Sequence, residues 1–474
     1  MELVCGNEEQ LAFDQELDAT FEQVQQKYNQ TPYPSYDERV ELLLKLKAEL
    51  IANQTELVDA LNQDYGYRST FDSTICDLMP TVNHIDYTLK KLKKWMKPDT
   101  RSAGLLLAPS KAQLHFQPVG VVGVMVPWNF PIVLSLAPIV TAIAAGNRVM
   151  VKLSEATPHT NEALNRVFAS LSEHIYPIEG GVSLSAHFST LAFDHLVFTG
   201  STAVGRKVAQ AAAKNLTPVT LELGGKSPVI VGQDADLKKA IDAMMLGKSI
   251  NSGQICVAPD YVFVPKDKVS EFGALYLKRF ESLFPVKKGQ RNLTSIINQA
   301  QYTRLQRYLE DAKEKGAKVE TIECDKLIKH QMLPHILTEL TDDMLVMQEE
   351  IFGPLLPIIG YDSMDEVIQF INRRERPLAL YLMSDDKELQ ANILENTHSG
   401  GICFNDTLLH VALDDAPFGG SGESGMGHYH GIEGFKSFSN QKTVLITPSW
   451  LTRGRMMLKW RNIAQKVIGK LFIR

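Results

Sequence analysis

Cys256 stands in Gly253-Gln254-Ile255-Cys256-Val257, downstream of Glu222 in Leu221-Glu222-Leu223-Gly224-Gly225-Lys226. A thiolate is the strongest common side-chain nucleophile near neutral pH, and a carboxylate of raised pKa can take a proton from water. Together they suit a two-stage attack on a carbonyl, in which sulfur forms an acyl-enzyme and a water activated by Glu222 clears it. A cysteine in an apolar segment is more often a small buried hydrophobe, so its neighbours decide its role. Gly253 permits close backbone approach, and the Cys256 backbone N–H can face an oxyanion. Glu222, flanked by leucines, would be pushed up by burial; turned to solvent it would do nothing.

Four further segments could serve that chemistry. Val126-Pro127-Trp128-Asn129-Phe130-Pro131 brackets an aromatic-amide-aromatic triplet with prolines, a stiff turn able to hold the Asn129 amide as an oxyanion donor. Phe198-Thr199-Gly200-Ser201-Thr202-Ala203-Val204-Gly205 reads as strand, glycine turn and helix start, where free N–H groups would meet a pyrophosphate. The glycine spacing of Gly200 and Gly205 is not the dinucleotide fingerprint, so this segment alone is a weak signal. Lys152 and Glu155 follow the strand RVMV and suit ribose hydroxyls, although an isolated Lys-x₂-Glu is more often an exposed ion pair. Glu350 and Phe352 precede a Gly-Pro turn, where the carboxylate could hold a ribose and the ring could pack near a nicotinamide.

These segments need elements to position them. Residues 10 to about 100 read as polar helices with apolar spacing at Leu43, Leu46 and Leu50 and again at Val82, Ile85, Leu89 and Leu92. From Ala112 the texture changes to apolar strands alternating with helices, which predicts an α/β architecture with parallel sheets. Helices are expected over 131–146, 202–215, near 237–252 and through 300–315, with a second α/β unit after Asp236.

The chain has 474 residues, 44% apolar and 22% charged, with a formal charge of −6, so no basic footprint for nucleic acid exists. Five scattered cysteines (Cys5, Cys76, Cys256, Cys324, Cys403) form no CxxC or Cys/His metal spacing and suit a reducing, cytoplasmic compartment. The acidic N-terminus shows no secretory signal, and the apolar run 131–146 is too short to span a membrane. The tail 448–474 departs from this, with seven Lys or Arg residues and no Asp or Glu. Its Trp450, Leu451, Met457, Leu458, Trp460 and Ile463 could form an apolar face on an anionic membrane, or pack on the chain's own oligomer.

Taken together the motifs resemble the aldehyde dehydrogenase superfamily: VPWNFP at 126–131, KLSEATP at 152–158, FTGSTAVG at 198–205, LELGGKSP at 221–228, GQICVAP at 253–259, EEIFGPLLP at 349–357 and PFGGSGESGMGHYHG at 417–431. FNDTLLH at 404–410 and GMGHYHG at 425–431 look like the coniferyl aldehyde dehydrogenase and class 3, fatty-aldehyde branch. Leu153 stands where proline is common in the family. The resemblance implies that Cys256 attacks an aldehyde, Asn129 and the Cys256 N–H hold the oxyanion, and Glu222 activates the hydrolytic water. It places Lys152 and Glu155 at the adenosine ribose, Ser201 and Trp128 near the pyrophosphate, and Glu350 at the nicotinamide ribose. Glu155 would repel a 2′-phosphate, favouring NAD, with NADP use known in this branch. The implied organisation is a dinucleotide-binding unit at 1–221, a catalytic unit at 222–426, an oligomerisation element from a strand near 111–117 with 427–447, and the tail; the branch leans to a homodimer. Rival readings are a member that passes its acyl group to coenzyme A, against which Glu222 speaks, and a catalytically silent structural or membrane-associated member. Whether the substrate is an aromatic, coniferyl-type aldehyde or a medium to long aliphatic one is not written in these motifs.

Overall fold

The structure, a computed structural model, describes residues 7–287, 290–323 and 326–472; Cys5 and Cys324 lie outside the described residues. Among the described residues the strands form three sheets. The first runs in spatial order through β15 (Gly425–Met426), β7 (Val219–Glu222), β6 (His195–Thr199), β3 (Val121–Met125), β4 (Arg148–Lys152) and β5 (Ile175–Ile178). It is parallel apart from β15. Val122 and Val124 pack into one layer with Leu43, Ile85, Ile139 and Leu164, whereas Val121 and Met125 pack into the other with Leu17, Phe21 and Val208. That two-residue alternation, apolar on both faces, is what lets helices cover both sides of a parallel sheet.

The helix Pro131–Ala145 lies in the first of those layers, almost wholly buried. Proline at its start, the left-handed Gly146 just past its end and apolar side chains all round account for its limits and its burial.

The second sheet runs through β10 (Lys318–Thr321), β11 (His335–Thr338), β12 (Leu355–Tyr361), β9 (Tyr261–Pro265), β8 (Pro228–Val231), β13 (Ala379–Met383) and β14 (Gly401–Phe404), parallel except for β10 against β11. The third is antiparallel: β1 (Asp99–Arg101), β2 (Lys111–Pro118) and β16 (Ser439–Ile446). The polar Asp99-Thr100-Arg101 carries no apolar alternation, so β1 was not legible beforehand. Gly425–Met426, grouped with the catalytic unit in the sequence, pairs with β7 in the first sheet.

These directions create the cleft. The carboxyl ends of β3, β4, β6 and β7 open on one edge of the first sheet, where Met125 pairs with Lys152 and Phe198, and Thr199 with Glu222. Residues 223–227 carry the chain from β7 to β8, and the loops entering β8, β9 and β12 lie side by side at the amino edge of the second sheet. Loops from both edges line one cavity.

Candidate active site

The cavity has a volume of about 530 Å³ and is lined by Trp128, Asn129, Lys152, Glu155, Gly200, Ser201, Glu222, Cys256, Glu350 and Phe352. All the sequence candidates but one therefore meet there. Gly205 lies instead in the helix Thr202–Ala213, where an added Cβ would sit 2.5 Å from a Leu223 methyl, so its role is to let that helix close on the segment leaving β7.

Cys256 is presented by a strained loop. The helix Leu237–Ser249 stops short of the expected 252 because Asn251 (φ 48°), Ser252 (φ 53°) and Gly253 (φ 73°) are left-handed in succession. Glycine is required at 253 because a Cβ there would lie 2.6 Å from the Gly353 carbonyl oxygen. The strain is held by buried hydrogen bonds. Asn251 donates its backbone N–H to Asp72 (3.0 Å), and Gln254 donates to the Asn251 (2.9 Å) and Ser295 (3.1 Å) carbonyls while accepting from the Ile297 N–H (3.0 Å). Beyond the cysteine, the Tyr381 hydroxyl donates to the Val257 carbonyl at 2.6 Å.

Asn129 is fixed from behind. Its backbone carbonyl accepts from Arg68 (2.7 Å), the Tyr65 hydroxyl (3.0 Å) and the Asn251 amide (3.1 Å). Its side-chain Nδ2 donates to the Gln254 carbonyl at 3.2 Å, leaving a second N–H for an oxyanion. Arg68 is fully buried, lies over the rings of Tyr65 and Phe130, and pairs with buried Asp77 at 3.2 Å. Asp77 in turn accepts the Val133 N–H (2.7 Å) in the first turn of the helix Pro131–Ala145. Sequence reading missed Tyr65, Arg68 and Asp77, whose partners are remote along the chain. Asn251 carried a faint signal, since asparagine is enriched in left-handed backbone.

The two candidate reactive groups sit in a dry environment. Burial pushes the Cys256 thiol up to about 12, with Glu350 and Glu222 adding to the rise and the Cys256 and Val257 backbone N–H groups opposing it. Burial also holds Glu222 well above the usual carboxylate range. Neither Glu222 oxygen has a hydrogen-bond partner among the described residues. A buried carboxylate without partners is costly, so it is kept neutral until something else enters the cavity.

The rest of the cavity suits a phosphorylated, ribose-bearing ligand. Ser201 is the N-cap of the helix Thr202–Ala213, yet its side chain caps nothing, leaving free N–H groups at a positive dipole end. Lys152 is buried, donates to the Leu153 carbonyl at 2.6 Å and lies 4.0 Å from the half-exposed Glu155. Glu350 packs so closely on Gly224 that a Cβ there would lie 2.1 Å from its carboxylate; burial pushes it up to about 8. Trp128 and Phe352 meet edge to face at 5.3 Å. Arg304 donates to the Glu350 (3.1 Å) and Ile351 (2.8 Å) carbonyls, and Lys226 to those of Val346 and Glu349 (2.9 Å each) while pairing with Asp260. Both of these clamps went unread in the sequence.

Residues 8–444 match the family described as the aldehyde dehydrogenase family. A probable coniferyl aldehyde dehydrogenase of Pseudomonas aeruginosa is 46% identical over 462 residues, covering 97% of each chain. The substrate-bound Staphylococcus aureus AldH superposes with a TM-score of 0.88 at 33% identity, covering all of both chains. A Mycobacterium tuberculosis aldehyde dehydrogenase complexed with NAD+ gives 0.83 at 28% identity, covering 93% of this chain and 91% of that one.

Proposed function

The chain belongs to the aldehyde dehydrogenase family, oxidoreductases acting on the aldehyde group, and from that premise we propose that it oxidises an aldehyde to a carboxylic acid through a Cys256 thioester. The observation that carries this reading is Glu222, a buried carboxylate with both oxygens unpartnered, lining the same cavity as Cys256. The Cys256 thiol passes its proton to solvent water as sulfur adds to the aldehyde carbon, and the free Asn129 N–H with the Cys256 backbone N–H takes the oxyanion of the thiohemiacetal. A nicotinamide dinucleotide held there would supply the acceptor for the hydride that the thiohemiacetal carbon loses on becoming a thioester and, as a cation, would favour the thiolate. Glu222 then takes a proton from water, hydroxide adds to the thioester carbon, and the carbon–sulfur bond breaks to free the acid.

The uncapped helix start at Ser201, with Trp128 and Gly200 beside it, suits the pyrophosphate, Lys152 and Glu155 the adenosine ribose, and Glu350 and Phe352 the nicotinamide end. Glu155 would oppose a 2′-phosphate, which favours NAD over NADP. The likeness to the Pseudomonas aeruginosa relative favours a coniferyl-type aromatic aldehyde over an aliphatic one. We further propose a homodimer joined through the third sheet.

The test is reduction of NAD and NADP by purified protein with coniferaldehyde, benzaldehyde, hexanal and a long-chain aldehyde. Turnover fastest with coniferaldehyde and NAD supports the reading, and Cys256→Ala should abolish it while keeping NAD binding. Steady turnover by the alanine variant would remove the central claim.

A further inference from the structure

Each hydrolytic turnover leaves a proton on Glu222, and that proton has to leave before the next water can be activated. Both Glu222 oxygens are cut off from solvent and meet no hydrogen-bond partner among the described residues. The segment PFGGSGESGMGHYHG, so far without a part in the chemistry, brings a second titratable group to this carboxylate. Its β15 pairs with β7 so that Gly425 stands opposite Glu222, and the chain runs on through Met426 and the left-handed Gly427 (φ 81°) to His428. Gly419 fills the space between them. A Cβ there would lie 3.3 Å from Glu222 Oε1, 2.8 Å from His428 Nδ1 and 2.2 Å from the Gly427 carbonyl oxygen. Only glycine lets a carboxylate oxygen and an imidazole nitrogen face the same small gap, which is about the span of a single bridging water. His428 does not line the cavity that holds Cys256.

We propose that His428 is the proton outlet of Glu222, an inference that rests on Glu222 being the base that clears the thioester. When hydroxide adds to the thioester carbon, Glu222 holds the proton taken from water, and sulfur then leaves with its bonding pair as the acid departs. The Glu222 O–H proton crosses the Gly419 gap to the lone pair of His428 Nδ1. The carboxylate re-forms and the imidazole becomes imidazolium. The imidazolium gives a proton to water outside the cavity, so base and ring are both reset and no oxidant or reductant is needed. Imidazole suits this task because it takes and gives a proton near neutral pH, and its two nitrogens can accept on one side and donate on the other. Glu222 itself can then stay in a dry cavity, where bulk water does not compete for the acyl group.

The experiment follows NADH by rapid mixing, with NAD and the fastest-reacting of the four aldehydes, in wild type, His428→Ala, His428→Gln and Glu222→Gln. Both His428 variants should keep the melting temperature, the oligomeric state and the first-turnover burst of the wild type. Their steady rate should fall by about tenfold or more, because the proton now leaves Glu222 slowly. Added imidazole should restore His428→Ala toward the wild-type rate and leave Glu222→Gln slow, a rescue that a merely structural role for His428 would not produce. Wild-type steady rates in both His428 variants, with Glu222→Gln still slow, overturn the outlet and leave the hydrolytic reading standing. A slow His428→Ala that imidazole does not restore overturns it as well. Equal burst and steady rates in Glu222→Gln would remove the base, and the outlet with it.

Discussion

Glu222 is held above the ordinary carboxylate range by burial alone. In the unfolded chain the same group ionises near the ordinary glutamate value of 4.5, so the folded state is penalised as pH rises above that value and is unaffected below it. Glu222→Gln should accordingly melt with the wild type near pH 4 and at a higher temperature near pH 8. The same variant should release NADH in its first turnover, then run at a steady rate lower by about 10² or more, because water loses its base. Equal burst and steady rates would refute the hydrolytic role. Arg68 acts one step back from the chemistry. It ties the Asn129 carbonyl to Asp77, whose carboxyl burial pushes up to about 6 against the pull of Arg68. Arg68→Ala would leave Asp77 buried without its partner and Asn129 unclamped, costing about 3–5 kcal/mol in denaturant unfolding.

At the scale of the element, the decisive piece is the turn between the helix Leu237–Ser249 and β9, where three consecutive residues are left-handed. Such backbone persists only when its surroundings over-determine it, and here Asp72, Thr294, Ser295 and Gln254 supply that grip. Gly253→Ala adds a Cβ within 2.6 Å of the Gly353 carbonyl and takes a positive φ that alanine resists. The expected result is a loss of roughly 1–2 kcal/mol or more in stability together with a fall in kcat, as the Cys256 N–H moves off the oxyanion position. A variant as active and as stable as wild type would mean that the turn is not the device that aims the cysteine.

At the scale of the molecule, the cavity lies where the carboxyl edge of one parallel sheet meets the amino edge of another, joined directly by residues 223–227. A ligand seated there touches both, so it should stabilise them together. In Cys256→Ala, NAD at about 100 times its Kd should add about 2.7 kcal/mol, read as a rise in melting temperature, with NADP giving less. No rise at any NAD concentration would mean that the folded chain does not bind the dinucleotide. The third sheet stands apart from that cleft and pairs β16 with β2 over eight residues, Ser439↔Pro118 through Ile446↔Lys111.

The α/β texture, the course of most strands and the segments that meet at the cavity were legible in the sequence, because apolar alternation, glycine and proline punctuation and short motifs are local patterns. Glu222 in its leucine-flanked strand end and Cys256 in its glycine-led loop could be read that way. What surrounds them could not. Arg68 reaches Asn129, 61 positions along the chain, and Lys226 reaches Val346, 120 positions along, and no local spacing encodes partners that distant. The isolation of the Glu222 carboxylate, the left-handed turn before Cys256 and the approach of His428 to Glu222 across Gly419 likewise belong to the tertiary structure, since burial, strain and long-range contacts exist only once separate segments are packed together.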